Sequence, residues 1–367
     1  MVRGHLAPQP LVARVLLANL VRGHLGQQVD VQHLRLASLV RLRVCAHRSR
    51  VRRSVCRVER DEAADRERAH RLRTEPWVQQ RQERRLRGER HPVDDFLFEY
   101  YPYSMSKLTT WHPGWGVTVQ RDRRFLQQHR DYVQAASGAS VGFDGLLRRR
   151  ERLELAAALL QSTMQRAPQF NCFGMHEWAM VFRQQATDIR HADYPLRLDS
   201  AAIEQAVDAV GLRCTHLDAF RFFTADAMPR NAYRLTRATQ AQFEQPGCVH
   251  AAMDLYKYAM WAGPYLPSEL VADCFELART ARTLDMRASP YDLTSLGYQA
   301  IPMETAAGRA EYVAQQRELS ASAQQLRSRL LESVQRLLDV TAQAGLRCDD
   351  SLRGSAAPAP AAPPAGR

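Results

Sequence analysis

The chain has 367 residues, of which 45% are hydrophobic, and it carries a formal net charge of +12. The apolar content is enough for a substantial core, while no apolar run has the length of a membrane span, so the composition excludes a membrane partner and predicts a soluble protein. The seven cysteines form no CxxC pair and no metal-finger spacing, which indicates reduced, mostly structural thiols and a cytoplasmic location.

The positive charge is concentrated at the start of the chain. Residues 1–57 contain eleven arginines and one acidic residue, Asp30, so this segment carries +10 and the remainder carries +2. A remainder so close to neutral excludes a nucleic-acid footprint over the whole body and leaves room only for a local patch. We expect residues 1–57 to be a disordered or non-native basic extension, translated from an over-early start. A transit peptide and a basic arm for nucleic acid are the alternatives.

The body, from Val58 to Asp350, is predicted to be mainly α-helical and to form a single globular unit with disordered ends. Helical patterns occur at residues 60–90, 146–166, 200–211, 249–261, 269–284 and 308–338. The run from Thr215 to Thr224, THLDAFRFFT, has the alternation of a short strand. Residues 351–367 are rich in Ala and Pro and are expected to be a disordered tail.

Two aromatic segments precede the centre of the chain. Trp111 and Trp115 lie in the loop WHPGWG, which either stacks on a base or a ring or packs on the body as an aromatic plug. A later helix opens with the adjacent pair His176 and Glu177, followed by Trp178 on its packing side. No second histidine follows His176 by four residues, so the zinc-protease arrangement is absent.

The stretch from Glu244 to Trp261, EQPGCVHAAMDLYKYAMW, has the most informative pattern. His250, Asp254 and Lys257 fall in one narrow arc of a helix whose other directions are apolar. Such a helix should be enclosed by other elements and should present its ionisable stripe to an internal cleft. The stripe is either a catalytic site or a satisfied structural network.

Histidines near this helix offer a metal-site alternative. His216 and Asp218 share one face of the predicted strand, and together with His250 they have the residue types of a two-His, one-carboxylate iron site. His176, His191 and Glu177 are alternative ligands. Further along, the acidic stripe from Glu269 to Glu276 is expected to be solvated or to pair with nearby arginines.

Several runs carry a resemblance to a known family. They are HPVDDFLFEYY, WHPGWG, FNCFGMHEWAMVFR, RHADYPLRL, HLDAFRFFT, EQPGCVHAAMDLYKYA, PSELVADCFELAR, LDMRASPYDL and AEYVAQQR. Across about residues 73–339 the chain resembles bacterial proteins labelled 3-methyladenine DNA glycosylase. It has no glycine-rich hairpin between helices of the kind that the best-known alkyl-base glycosylases carry.

The resemblance implies a DNA repair glycosylase that flips an alkylated purine out of duplex DNA and hydrolyses its N-glycosidic bond, with no cofactor and no metal. Asp254 is then the expected catalytic carboxylate. Lys257 keeps it ionised or forms a Schiff base, and His250 and Glu177 are second choices. The expected substrate contacts are Trp111, Trp115, His176, Trp178, Asp218, Arg221, Arg237 and Arg287. A metal-dependent enzyme acting on a small molecule and a non-catalytic binding protein are the rival functions.

Overall fold

The computed structural model describes residues 56–353 except Asp122, Arg190 and Ala192. The predicted basic extension and the Ala- and Pro-rich tail therefore lie almost wholly outside the described residues. Within the described residues there are thirteen α-helices and one small sheet, so the mainly α-helical class is confirmed. Apart from the last turns of the final helix, they belong to one compact unit, residues 51–347. Among the described helices, none combines the length and hydropathy that crossing a membrane would require.

The thirteen helices of the described residues follow one another along the chain. They are α1 (Arg60–Arg87), α2 (Phe96–Tyr100), α3 (Met105–Thr109), α4 (Arg123–Gln128), α5 (Phe143–Leu147), α6 (Arg150–Met164), α7 (Met175–Ala179), α8 (Ser200–Val210), α9 (Leu217–Phe220), α10 (Gln240–Phe243), α11 (Val249–Ala262), α12 (Ser268–Arg287) and α13 (Ala306–Arg353). Short 3₁₀ helices occur at Ala186–Asp188, Met228–Arg230, Arg237–Thr239, Gly263–Tyr265 and Thr294–Leu296.

The sheet has four short strands in the order β1-β2-β4-β3. They are β1 (Cys56–Val58), β2 (Val117–Val119), β3 (Tyr132–Ala135) and β4 (Gly138–Val141). Strands β1 and β2 are parallel, whereas β4 is antiparallel to both β2 and β3. The β3–β4 hairpin keeps its register from Tyr132 opposite Val141 to Ala135 opposite Gly138.

The strand predicted at residues 215–224 was wrong, because this segment contains the one-turn helix α9 and following turns. The amides of Phe220 and Arg221 donate to the carbonyls of His216 and Leu217, so local bonds satisfy this backbone without a partner strand. Asp218 in this helix and Phe222 in the turn after it both border one narrow cleft. The alternation in the sequence therefore arises from aromatic residues that pack in more than one direction, and not from a β-strand.

The core is centred on α11, which packs along α12 and also contacts α6. Helix α1 covers the outer side of α12. There Arg66 pairs with Glu269 at 3.1 Å, and Arg73 pairs with Asp273 at 2.8 Å. The acidic stripe of α12 is thus paired with arginines, the second of the two outcomes considered above.

Two glycines allow the site helices to start where they do. Gly174 has φ of 63° just before α7, and a Cβ there would meet Ala288 Cβ and Tyr312 Oη at 3.3 Å. Gly247, just before α11, passes so close to another segment that a Cβ would lie 2.4 Å from the carbonyl oxygen of Gln169. These close approaches hold α7 and α11 against the body with little freedom to shift.

Candidate active site

Helix α11 is enclosed as its pattern predicts. Each of its residues is buried except Lys257 and Trp261, which are half-buried. Its polar stripe meets side chains from α7, α9 and α12 and from residues just after α2, just before α9 and just before α11. The result is a buried ionic network with two halves, one around Asp254 and one around Asp285.

In the first half, Asp254 is fully engaged. Tyr101 donates its hydroxyl to Oδ1 at 2.8 Å, His216 Nε2 lies 3.2 Å from Oδ2, and the Lys257 ammonium contacts the same oxygen. Burial by itself would raise the pKa of Asp254, but Lys257 and His216 outweigh burial and hold that pKa well below its usual value. With 1% of its surface exposed, Asp254 is an ionised anchor with no open side.

Glu244 completes this half. Its Oε1 lies 3.6 Å from His216 Nε2, and Gln240 donates an amide hydrogen to the same oxygen at 2.5 Å. Burial raises the pKa of the Glu244 carboxyl above its usual range, although His216 opposes the rise. Asp254 and Glu244 therefore both contact the His216 imidazole. Their electrostatic surroundings differ, since only Asp254 also has the Lys257 ammonium beside it.

Lys257 links the first half to Asp218. Its Nζ lies 3.3 Å from Asp218 Oδ2. Burial lowers the pKa of Lys257, but Asp254 and Asp218 more than reverse this, so its net pKa is raised. A lysine held protonated is a poor nucleophile, and this disfavours the Schiff-base role considered from the sequence.

The second half is built on Asp285 in α12. His176 Nε2 lies 2.5 Å from Asp285 Oδ1, and Arg282 Nη1 donates to Asp285 Oδ2 at 2.8 Å. The same guanidinium nitrogen donates to Glu177 at 2.6 Å. Burial would raise the pKa of Glu177, yet Arg282 and His176 lower it to about 2. Arg282 thus keeps two carboxylates charged in the interior.

His250 lies between the halves. Its ring centroid is 4.5 Å from that of His176, with the planes at 82°, and 5.3 Å from that of His216, with the planes at 27°. Burial, reinforced by His176, lowers the pKa of His250 well below its usual value. His250 is therefore a neutral imidazole in contact with both halves.

A narrow cleft lies next to His250, with a cavity volume of about 10 Å³. Its lining comprises Phe96, Tyr100, Glu177, Met180, His191, Asp218, Ala219, Phe222, His250 and Arg282. Phe96 and Tyr100 stack in parallel on one wall, with centroids 5.1 Å apart and planes at 11°. Asp218 is 10% exposed in its side chain, and Arg221 and Arg237 lie beside it at 3.6 and 3.4 Å.

The predicted site residues fall into three groups. Glu177, Asp218 and His250 line the cleft, Arg221 and Arg237 border it through Asp218, and His176 touches His250 from behind. Asp254 and Lys257 belong to the network but do not line the cleft. The remaining predicted contacts, three tryptophans and one arginine, lie elsewhere.

The tryptophans predicted to stack on substrate have other contacts. Trp111 is 1% exposed and donates its indole N–H to Glu269 at 3.0 Å, and Trp178 is 0% exposed and donates to the carbonyl of Ala288 at 2.9 Å. Trp115 packs against Tyr265, with ring centroids 6.1 Å apart. The two buried indoles are wrong as stacking platforms, since no ring face is available to a ligand. The aromatic-plug alternative describes this loop.

Arg287, predicted to contact phosphate, instead ties α12 to its neighbours. Its guanidinium donates to the carbonyl of Gln299 at 2.9 Å and to the side chain of Gln315 at 3.0 Å, and it pairs with Glu311. These contacts lie outside the cleft lining. Its role is structural, because its hydrogen-bonding capacity is used within the fold.

The metal-site residues also group differently from the prediction. Among the described residues, two buried sets have ligand atoms within 4.8 Å of one another, namely His176, His250 and Asp285, and His216, Glu244 and Asp254. Of the predicted combination, His216 and His250 fall in different sets, and Asp218 is in neither. Asp285 and Glu244 were missed as candidates. A signal for Asp285 was available, because it continues the buried face of Ala278 and Ala281 by helical spacing.

Comparison with protein-family models, with curated proteins and with solved structures finds no match.

Proposed function

We propose that this chain is a DNA repair glycosylase that hydrolyses the N-glycosidic bond of an alkylated purine, with the base bound in the cleft. The observation that carries the proposal is the cleft lining, in which stacked aromatic rings face the carboxylates of Glu177 and Asp218. The sequence runs that resemble proteins labelled 3-methyladenine DNA glycosylase are a second, separate support.

The aromatic wall suits a flat, positively charged ring. An alkylated purine carries positive charge, and aromatic faces attract such a cation as well as stacking on it. Phe96 stacks on Tyr100 and also carries the Arg282 guanidinium, 3.9 Å from its ring centroid, while Phe222, 39% exposed, lies at the surface. The cavity volume of about 10 Å³ is that of a single water molecule. A flipped base would therefore enter only as the lining side chains move apart, with the sugar left at the entrance.

Asp218 is the carboxylate to which we assign the chemistry, in place of Asp254. Breaking the N-glycosidic bond builds positive charge on the sugar, which an adjacent carboxylate stabilises while it orients the attacking water. The Asp218 side chain is 10% exposed and lines the cleft, whereas that of Asp254 is 1% exposed and saturated with partners. Asp254 acts as a positioning residue, because it holds the ammonium of Lys257 that in turn contacts Asp218.

Contacts with DNA would come from the arginines next to Asp218. Arg221 and Arg237 have side chains that are 55% and 65% exposed, and both reach Asp218 Oδ1. Guanidinium groups in such positions bind the phosphates that flank an extruded nucleotide. Two arginines at the cleft form the local patch that the nearly neutral body requires.

The test is release of free 3-methyladenine from methylated duplex DNA by the full-length chain. Asp218→Asn should lower the release rate by about 10² or more without loss of fold, because it removes the charge that faces the sugar. Asp208→Asn is the matched control, since Asp208 is 48% exposed and outside the cleft lining. Failure of the folded wild-type chain to release the base, with and without added divalent metal, would refute the proposal.

A metal-dependent enzyme acting on a small molecule is the second candidate. The observation that favours it is the pair of buried His and carboxylate sets. Bound metal in the purified chain, together with no base release, would support this candidate over the first.

A further inference from the structure

We propose that His176, His250 and Asp285 form a binding site for one divalent transition-metal ion, located at the inner end of the cleft. This site goes beyond the proposed base removal, which needs no metal. Two imidazoles and one carboxylate are the ligand types that Fe²⁺, Mn²⁺, Co²⁺ and Zn²⁺ take in proteins.

The ligands come from three helices that are packed into the core. His176 is on α7, His250 on α11 and Asp285 on α12, and they are 5%, 6% and 0% exposed. Their ligand atoms all lie within 4.8 Å of one another, and His176 Nε2 lies 2.5 Å from Asp285 Oδ1. Ligands on rigid elements need little rearrangement to converge on an ion.

The neighbouring side chains orient the carboxylate. Arg282 donates to Asp285 Oδ2 at 2.8 Å, which leaves Oδ1 directed towards His176 as the single ligand oxygen. The same guanidinium nitrogen also donates to Glu177 at 2.6 Å. The positive charge of Arg282 is therefore paired with a second carboxylate next to the site. Outer contacts of this kind fix the orientation of ligands in known metal sites.

Three protein ligands leave coordination positions for water or a substrate, and the cleft gives access to them. His250 lines the cleft while His176 and Asp285 do not. The open side of the ion would therefore face Glu177 and the aromatic wall. A bound water there would lie at the inner end of the cleft, next to the space that we assign to the flipped base.

The other His and carboxylate set is a poorer site, because cationic and amide groups already fill it. The Lys257 ammonium contacts Asp254, and Gln240 donates to Glu244. A second cation in this set would have to displace a buried ammonium. His216 Nδ1, however, has no hydrogen-bond partner among the described residues, so His216 has to be tested as the rival ligand.

The experiment measures metal in the full-length chain directly. The purified protein is assayed for metal content, stripped with a chelator, and titrated with Co²⁺, whose visible absorption reports nitrogen and oxygen ligands. We expect one Co²⁺ per chain. His250→Ala and Asp285→Asn should each weaken Co²⁺ binding by at least about 100-fold, since each removes a ligand. His129→Ala, which removes a histidine outside both sets, should bind as the wild type does.

Three results would overturn the site. The first is a folded wild-type chain, checked by circular dichroism, that binds neither Co²⁺ nor Zn²⁺. The second is binding that His216→Ala abolishes while His250→Ala does not, which would move the ion to the other set. The third is a stoichiometry of two with both sets required. Metal content is read without any activity assay, so this test and the base-release test can fail separately.

Discussion

His250 and Asp254 lie one turn apart on α11, yet Asp254 belongs to one half of the buried network while His250 lies between the two halves. The His250 ring meets His176 at 4.5 Å, whereas Asp254 is bound by Tyr101, His216 and Lys257. Helix α11 therefore carries both a residue that lines the cleft, His250, and a residue that makes the buried ionic contacts, Asp254. The two halves can be altered separately, and different consequences are expected for stability and for binding.

Asp254→Asn should destabilise the fold by about 3–5 kcal/mol, because it removes the more deeply buried of the two carboxylates that pair with the Lys257 ammonium. Urea denaturation measures the change in the free energy of unfolding. Asp208→Asn, which alters an exposed ion pair, should stay within about 0.5 kcal/mol of the wild type. Equal stabilities for the two variants would show that the Asp254 network does not support the fold.

His112 predicts a dependence of stability on pH. Burial, reinforced by His129, lowers its pKa to about 3 in the folded chain, against an ordinary value of 6.5. The unfolded chain binds the proton first as the pH falls, so the stability contributed by neutral His112 is complete above pH 6.5 and declines towards pH 3.

At pH 5 this decline amounts to about 2 kcal/mol, at 1.36 kcal/mol for each pH unit. His112→Gln should therefore lose about 2 kcal/mol less than the wild type between pH 7 and pH 5. Urea denaturation at the two pH values gives the comparison. Parallel losses in both proteins would mean that His112 is protonated in the folded chain.

Phe222→Ala should weaken binding of alkylated DNA while leaving the fold intact. The ring is 39% exposed and lines the cleft, and stacking of a base on an aromatic ring is worth about 1–3 kcal/mol. We expect KM for methylated DNA to rise by about 5-fold to 100-fold. Leu86→Ala removes a side chain that is 88% exposed and outside the cleft lining, and it should leave KM unchanged. A KM that is equally unchanged in Phe222→Ala would exclude a stacking role.

Gly247→Ala should destabilise the chain by about 1–3 kcal/mol, the usual cost of forcing an extra methyl into a packed site. The added Cβ would lie 2.4 Å from the backbone oxygen of Gln169, so one of the two segments must move. Thermal unfolding monitored by circular dichroism measures the effect. An unchanged melting temperature would show that the entry to α11 is looser than its geometry indicates.

The sequence was most informative where periodicity and burial agree. The enclosed helix at residues 249–261 and its stripe of His250, Asp254 and Lys257 are present as α11, because a helix with one ionisable face among apolar residues has few other places in a fold. The long charged helix at residues 60–90 is α1, and its arginines pair with α12.

The cleft was harder to predict because its residues come from distant segments. Phe96 and Tyr100 precede Asp218 by more than a hundred residues, and no local pattern shows that they share a wall. Trp111 and Trp115 were more conspicuous in the sequence, yet Trp111 is buried and packs in the core. Asp254 was preferred over Asp218 because enclosure was expected to mark the site, whereas the more enclosed carboxylate has no open side.

The chain has two lysines, and their side chains differ in exposure to solvent. Lys107 is exposed on α3, while Lys257 has 14% of its side chain exposed and contacts Asp254 and Asp218. An amine-reactive reagent should therefore label the side chain of Lys107 at once and that of Lys257 only when the interior opens. Mass spectrometry of the peptide that contains Lys257 would then time the opening of the network in an unmodified chain, without any introduced probe.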